Sequence, residues 1–206
     1  MLRSIIFRIL ERNPGPLRRR AAGLVVSTSG VAAVEFAMIL PVMLAMYLGM
    51  VVVTTGVNTD RKLTQVSRTL ADLAGRDTDI SDTEMTDIFN ASIEVMRPYD
   101  GSLAKMTVSS IVVEATGPAD ANGKVPVQGR VCWSDMHNGG LPPNPAVTVP
   151  DGFQTPSSSY ILAHVEYAYS PIVGNGITGP LTLSETTPWP VRSVREVQRK
   201  GVKCLP

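Results

Sequence analysis

The most apolar stretch of the chain runs from Phe36 to Val57, where 22 consecutive residues carry no charge. As a helix this stretch is about 33 Å long, enough to cross a hydrocarbon core of about 30 Å. The run is too long for the apolar part of a cleaved secretory signal peptide, which is short and ends at a small-x-small site. The pattern therefore predicts a retained transmembrane helix over residues 31–57.

After residue 57 the apolar positions become spaced by three and four, with charged residues between them. This spacing predicts an amphipathic continuation of the same helix over residues 58–76, ending near Gly75. Its apolar stripe needs a cover, for which the chain's own globular domain is the first candidate and a partner helix the alternative. The stripe consists of Leu63, Val66, Leu70 and Leu73.

A second helix is predicted to start at Ser81. Ser81 followed by Glu84 has the spacing of a capping box, in which each side chain satisfies a free backbone N–H of the first turn. Pro98 is expected to end the helix, because the residue before a proline avoids helical backbone angles. The side that faces the core is expected to contain Met85, Ile88, Phe89 and Met96.

The rest of the chain has strand patterns. Alternating stretches predict strands at Lys105–Ala115 and Tyr160–Ser170, with a third at Val125–Trp133 and a strand-like segment at 181–187. Seven of the 16 prolines fall in residues 118–156, which predicts exposed loops there. The order of helices and then strands predicts an α+β fold: a long N-terminal helix followed by a small exported domain, residues 77–206, with an antiparallel sheet.

Charge is distributed unevenly around the apolar run. Residues 1–29 contain six arginines and one glutamate, a net charge of +5, and residues 58–206 contain 13 basic and 16 acidic residues, a net charge of −3. The cluster Arg18, Arg19 and Arg20 lies close enough to the run to fix its orientation. We therefore expect residues 1–30 to form a basic cytoplasmic leader and the C-terminal domain to lie across the membrane.

The two cysteines, Cys132 and Cys204, lie 72 residues apart in the exported part. An even number of cysteines in an oxidising compartment favours a disulfide, which would stabilise the domain by roughly 2–4 kcal/mol. The alternative is a pair of unrelated buried thiols.

Glu35 is the one charged residue between Arg20 and Asp60. A carboxylate in the middle of a bilayer costs roughly 2.5–3.5 kcal/mol on insertion scales. One interpretation is that Glu35 lies in the first turn of the helix, where the helix dipole favours negative charge. That interpretation does not explain why the acid lies five residues after Gly30.

The segment GVAAVEF, Gly30 to Phe36, resembles a prepilin-peptidase signal, in which a glycine is followed by four residues and a glutamate. The longer segment GVAAVEFAMILPVMLAMYLG resembles the TadE-like family of the tight-adherence (Tad) pilus system, over roughly residues 30–75. The positions that fit the family pattern are Gly30, Ala32, Ala33, Val34, Glu35, Phe36, Ala37, Pro41 and Gly49.

The resemblance implies cleavage after Gly30 by an inner-membrane prepilin peptidase, which leaves Val31 as the new N-terminus. Glu35 would then neutralise an α-ammonium group, its own or a neighbouring subunit's, and set the register of assembly. Phe36 departs from the tyrosine of major pilins, and a mature chain of 176 residues is large for one. We therefore expect a minor, pseudopilin-like assembly component of the bacterial inner membrane, either resident there or extracted into the pilus.

The expected partners are prepilin peptidase, other pilin-like subunits and the inner-membrane assembly platform. For helix packing, small residues recur every four positions and could let another backbone approach closely. The alternative is that small residues are simply common in membrane helices. The proline in this series is expected to kink the helix. The series consists of Ala33, Ala37, Pro41, Ala45 and Gly49.

No catalytic motif withstands inspection. GNGITG, residues 174–179, leads into a strand-like segment where a dinucleotide site needs a helix, and SLAK, residues 102–105, lacks its companion motifs. His137 and His164 have no ligand spacing, and His164 is expected on a solvated strand face. We expect no enzyme activity, metal site, cofactor or nucleic-acid binding.

The tail, residues 191–204, has five basic residues and one acid, and could be a strand or a short helix. Its charge fits a solvated face or, alternatively, a contact with an acidic partner subunit. The alternative for the whole chain is an uncleaved single-pass membrane protein whose periplasmic domain binds a ligand or an envelope component.

Overall fold

The structure is a computed structural model that describes residues 29–121, 123–171, 179–192 and 194–205. The predicted leader, except for its last two residues, and most of the GNGITG segment lie outside the described residues. The chain divides into two compact units between Val51 and Val52. The first helix continues through this division.

The first helix, α1, spans Ser29–Ala74 and includes Pro41 without interruption of its assignment. The last turn of the helix is closed by Gly75, whose N–H donates to the Ala71 carbonyl at 2.9 Å. Leu63, Val66 and Leu70 are fully buried. α1 thus continues as one helix to Ala74, and the chain's own domain covers these three residues.

The second helix, α2, spans Asp82–Glu94 and follows the two-residue strand β1, Asp79–Ile80. The predicted capping box is present: the Ser81 N–H donates to Glu84 Oε2 at 2.8 Å, and the Glu84 N–H donates to Ser81 Oγ at 3.3 Å. The predicted end at Pro98 is wrong, because the helix stops at Glu94. The next three N–H groups bond to carbonyls three residues back, which tightens the chain before the proline.

A 3₁₀ turn, Gly101–Leu103, leads into a five-stranded antiparallel sheet with the order β4-β3-β2-β5-β6. The strands are β2, Lys105–Ala115; β3, Val127–His137; β4, Ala146–Val147; β5, Ser158–Tyr169; and β6, Leu181–Pro190. The predicted α+β fold is confirmed. The strand predicted at Val125–Trp133 starts two residues later and continues past Trp133, because it stays paired with β2 up to His137.

Both faces of the sheet are covered. One face packs against α1 and α2 and forms the larger core, in which β5 contributes alternate residues from Ile161 to Tyr169. The opposite face has a smaller core built from Ile111, Val113, Val149 and Tyr160. Strand β2 is consequently buried from residue 106 to residue 113, not only on alternate positions. Its register with β3 shifts between Ser110 and Ile111.

The C-terminal tail forms a short strand, β7, Gln198–Arg199, which pairs in parallel with β1. The side chain of Arg199 is only 11% exposed and its guanidinium contacts Asp135 at 2.7 Å and Asp82 at 2.7 Å. The hydrogen bonds that the guanidinium donates to these carboxylates, Asp135 first, raise the pKa of Arg199 against the opposing effect of burial. The interpretation of the tail charge as a solvated face is therefore wrong at this arginine, which holds the tail on the domain.

Candidate functional site: the N-terminal segment of α1

The segment that carries the predicted processing motif is helical from its start. Gly30 and Val31 lie in the first turn of α1, and the side chains of Val31 and Phe36 are each 59% exposed. A Cβ built on Gly30 meets no atom within 4 Å. Among the described residues, the backbone around Gly30 is therefore open to an approaching protein.

Glu35 is the seventh residue of α1, and the first turn of the helix contains no acidic residue. The interpretation of Glu35 as a first-turn acid is therefore wrong, because the favourable effect of the helix dipole falls off within that turn. Val31 and Glu35 are four residues apart, so they share one face of the helix. The Cα–Cβ bond of Glu35 also tilts towards the helix N-terminus, which directs its carboxylate back towards the Val31 backbone.

The apolar side chains that follow Glu35 are exposed. α1 contains a segment long and apolar enough, by length and composition, to cross a membrane, and its most apolar window has no buried residue. Exposure of this kind is typical of a surface that faces lipid, since a soluble chain seldom presents so much contiguous apolar surface. The most exposed side chains are Met38, Met46, Tyr47 and Met50.

The small residues predicted to form a packing seam are all exposed. Residues four apart are rotated by about 40° around a helix, so the series turns through about 160° from Ala33 to Gly49. A partner helix parallel to α1 could contact only some of these small residues. A partner helix that crosses α1 at an angle could contact more of them. Gly49 has no atom within 4 Å of an added Cβ. The role of Ala37, Pro41 and Ala45 in packing stays a prediction.

A second site, in the sheet domain, was not predicted. His164 lies on β5 opposite Thr186 of β6, and its Nδ1 lies 2.7 Å from Thr186 Oγ1 while its Nε2 lies 3.2 Å from Glu166 Oε1. The expectation of a solvated histidine is only partly right, because the side chain is 30% exposed. A hydroxyl, an imidazole and a carboxylate thus meet on one sheet face, which the sequence could not indicate without the strand register.

These polar groups border a cleft of about 280 Å³ between the sheet and the loop after β3. The hydroxyls around it already have partners: Thr107 Oγ1 donates to the Leu141 carbonyl at 2.9 Å, and Ser109 Oγ lies 2.9 Å from Ser134 Oγ. The cleft is lined by Thr107, Ser109, Leu141, Pro142, Pro143, Asn144, Leu162, His164 and Thr186.

Cys132 and Cys204 form a disulfide with a Cα–Cα distance of 5.7 Å. It joins β3 to the C-terminal tail, and the carboxylate of Glu196 accepts the N–H groups of Cys204 at 3.0 Å and Leu205 at 2.7 Å. In the part of the chain that the structure describes, no group of three or more His, Cys, Asp or Glu side chains could hold a metal ion.

α1 is thus an exposed apolar helix that carries a glycine and a glutamate five residues apart and that continues into an α+β domain. The family model described as TadE-like protein matches residues 30–72. This match confirms the resemblance found at Gly30–Gly49 and relates the chain to the Tad pilus system. It ends two residues before α1 does and includes none of the sheet. No curated protein and no solved structure matches the chain.

Proposed function

We propose that this chain is a minor, pseudopilin-like component required for assembly of a Tad-type adhesive pilus, with no enzymatic role. Its place is the bacterial inner membrane, with the N-terminus in the cytoplasm and the sheet domain in the periplasm. The observation that carries the proposal is the segment GVAAVEF at the head of an exposed apolar helix, within the residues that match the TadE-like family. Prepilin peptidase, other pilin-like subunits and the assembly platform are the proposed partners.

The proposal gives Glu35 a chemical role. Cleavage after Gly30 creates an α-ammonium group on Val31, one helical turn before the Glu35 carboxylate and on the same face. An opposite charge within a few ångström offsets much of the cost of a carboxylate in lipid, which is roughly 2.5–3.5 kcal/mol on insertion scales. The ammonium of a neighbouring subunit would serve equally well, and that pairing would fix the register between two helices.

The first test is the mass of the mature protein in cells with and without prepilin peptidase. The expected product begins at Val31 in the first cells and retains the basic leader in the second. A chain that keeps Met1 in both would contradict the processing step.

The second test is Glu35→Gln. We expect membrane insertion to persist, because an amide costs less in lipid than a carboxylate, while the number of pili falls by at least about tenfold if a pairing worth about 1.4 kcal/mol is lost. The matched control is Asp60→Asn, which changes an exposed acid later in the same helix and should leave pili unchanged. Normal piliation with Glu35→Gln would contradict the assigned role.

A second candidate function is an uncleaved single-pass membrane protein whose exported domain binds a ligand or an envelope component. The cleft beside His164 is the observation that favours it. Under this alternative the leader stays attached, pili are unaffected by Glu35→Gln, and Thr186→Val alters binding of the ligand. The mass measurement therefore separates the two functions.

A further inference from the structure

Strand β5 runs back along α1 towards the apolar end of the helix. Thr55 Oγ1 lies 2.8 Å from Tyr169 Oη, and Ser67 Oγ donates to the Ala163 carbonyl at 3.4 Å. Twelve helical residues rise about 18 Å and six strand residues about 20 Å. Because these lengths agree, β5 lies nearly parallel to the axis of this part of α1, and the end of the strand lies at the level of Thr55.

That level coincides with the end of the apolar run at Val57. Thr55 and Val57 belong to the same compact unit as the sheet. We call the sheet end formed by Lys105, His137, Tyr169 and Leu181 the Tyr169 end; the strand registers bring these four residues to one side. If the apolar run lies in lipid, the Tyr169 end lies where the helix emerges from it.

The two ends of the sheet differ in what they expose. After Val57, five large apolar side chains of the described residues are half exposed or more. Four lie at or next to the Tyr169 end: Leu103 at 52%, Met136 at 51%, Leu141 at 65% and Leu181 at 50%, and only Val202 lies in the tail.

The opposite sheet end, where β2 finishes and β3 begins, exposes small apolar residues, alanines and prolines, and several polar residues. The polar residues are Glu114, Thr116, Lys124 and Gln128. Single exposed apolar residues are ordinary, but their concentration at one end of a domain marks a contact surface.

We propose that the Tyr169 end rests on the outer phospholipid surface of the membrane, with Leu103 and Leu181 reaching the boundary between headgroups and acyl chains. The inference rests on the membrane anchor of the proposed function. The bilayer is the proposed occupant because Thr55, two residues before the end of the apolar run, contacts Tyr169 at this end of the sheet. Lys105, exposed at the start of β2, can contact headgroup phosphates.

The test uses the full chain in nanodiscs of phosphatidylethanolamine and phosphatidylglycerol. A single cysteine is introduced by Leu181→Cys or Leu103→Cys and labelled with a polarity-sensitive fluorophore; the native cysteines do not react because they form a disulfide. Thr116→Cys, at the opposite sheet end, is the matched control. All three positions are exposed, so the substitutions leave the fold intact.

We expect spin-labelled lipid to quench the labels at positions 181 and 103 at least about twofold more than the label at 116, since interfacial residues reach 5–10 Å into the headgroup boundary. Equal, weak quenching at all three positions would overturn the inference. The inference would also be overturned if the label at position 181 or 103 reported an apolar environment only when a second copy of the chain shares the nanodisc. The contact would then be with protein.

A label at Met46→Cys distinguishes failure of this inference from failure of the proposed function. Quenching at position 46 without quenching at 181 leaves the anchor intact and refutes only the lipid contact. An unquenched label at 46 refutes the anchor, and the lipid contact with it.

Discussion

The two parts of α1, residues 30–51 and residues 59–74, have the same helical backbone but opposite surroundings. In residues 30–51, side chains such as Leu44 are half exposed and Met46 is 72% exposed. In residues 59–74, Leu63 and Leu70 are fully buried. The first part has 18 apolar residues in 22 and the second has 6 in 16. Their spacing differs: continuous in the first part, and every three or four residues in the second.

The difference shows that hydrophobic content and hydrophobic spacing together indicate what covers a helix. A helix that is apolar on all sides is suited to lipid, which surrounds it. A helix with one apolar stripe is suited to packing against a protein core on that side. The TadE-like match over residues 30–72 covers both parts of the helix and none of the sheet.

The substitution Leu70→Ala should have the largest effect on the free energy of unfolding, and it tests this comparison directly. The side chain is fully buried in the larger core, so its truncation should lower the free energy of unfolding of the domain by about 4 kcal/mol. Leu44→Ala removes the same atoms from an exposed position and should leave that free energy unchanged. Denaturant unfolding in detergent, followed by fluorescence of Trp133 and Trp189, measures both. A similar loss for the two variants would contradict the assignment of different surroundings.

The next effect concerns the tail that closes the domain. Replacing Cys132 and Cys204 together by serine should lower the free energy of unfolding by about 2–4 kcal/mol, because the bridge restrains a long loop in the unfolded chain. The same denaturation experiment under reducing conditions should give the wild-type chain the stability of the variant. Insertion of α1 should not change in either case. If reduction leaves the midpoint of unfolding where it was, the bridge adds nothing to stability.

Much of the fold could be predicted because it rests on short-range patterns. The bounds of β2 were predicted to the residue, and the capping box at Ser81 gave the start of α2. The end of α2 was not predicted well, since a proline indicates only where a helix cannot continue. The chain leaves the helix three residues before Arg97, where tighter turns already satisfy its N–H groups.

What could not be predicted depends on long-range register. Nothing in the sequence places Thr186 beside His164, because that contact follows from the pairing of β5 with β6. The ion pairs of Arg199 likewise join residues more than 60 positions apart. By contrast, the candidate site at Gly30 and Glu35 was accessible to sequence reasoning, since both residues lie within two turns of one helix.

A smaller effect should appear at Asp72, which joins the buried part of α1 to the end of the sheet. Its carboxylate contacts Arg76 and accepts from Trp189 Nε1 at 3.1 Å, and Arg192 Nη2 lies 2.8 Å from it. Burial acts to raise the pKa of Asp72, but the hydrogen bonds from Arg76 and Trp189 and the charge of Arg192 lower it below its ordinary value of 3.8.

A lowered pKa in the folded state means that Asp72 stabilises the domain above its ordinary pKa, and that this stabilisation is lost as the pH falls through the folded value. We expect Asp72→Asn to cost about 1 kcal/mol at pH 7 and to flatten the loss of stability on acidification. Asp60→Asn, at an exposed position of the same helix, should reproduce the wild-type profile. Parallel pH profiles for wild type and Asp72→Asn would show that the Asp72 carboxylate does not stabilise the domain.

The smallest effect should come from Tyr160, in the core on the sheet face away from α1. Its ring packs on Phe153 with a centroid distance of 4.9 Å, and burial raises its pKa to about 12. Among the described residues its hydroxyl has no hydrogen-bond partner, and the same is true of the Ser110 hydroxyl. A buried hydroxyl without a partner costs free energy, so Tyr160→Phe should stabilise the domain by up to about 1 kcal/mol.

Ser110→Ala should act in the same direction and by less, because removal of its hydroxyl leaves a cavity behind. A loss of more than about 1 kcal/mol for Tyr160→Phe would mean that the hydroxyl is hydrogen-bonded in solution, and that this second core admits water where the core beneath α1 does not.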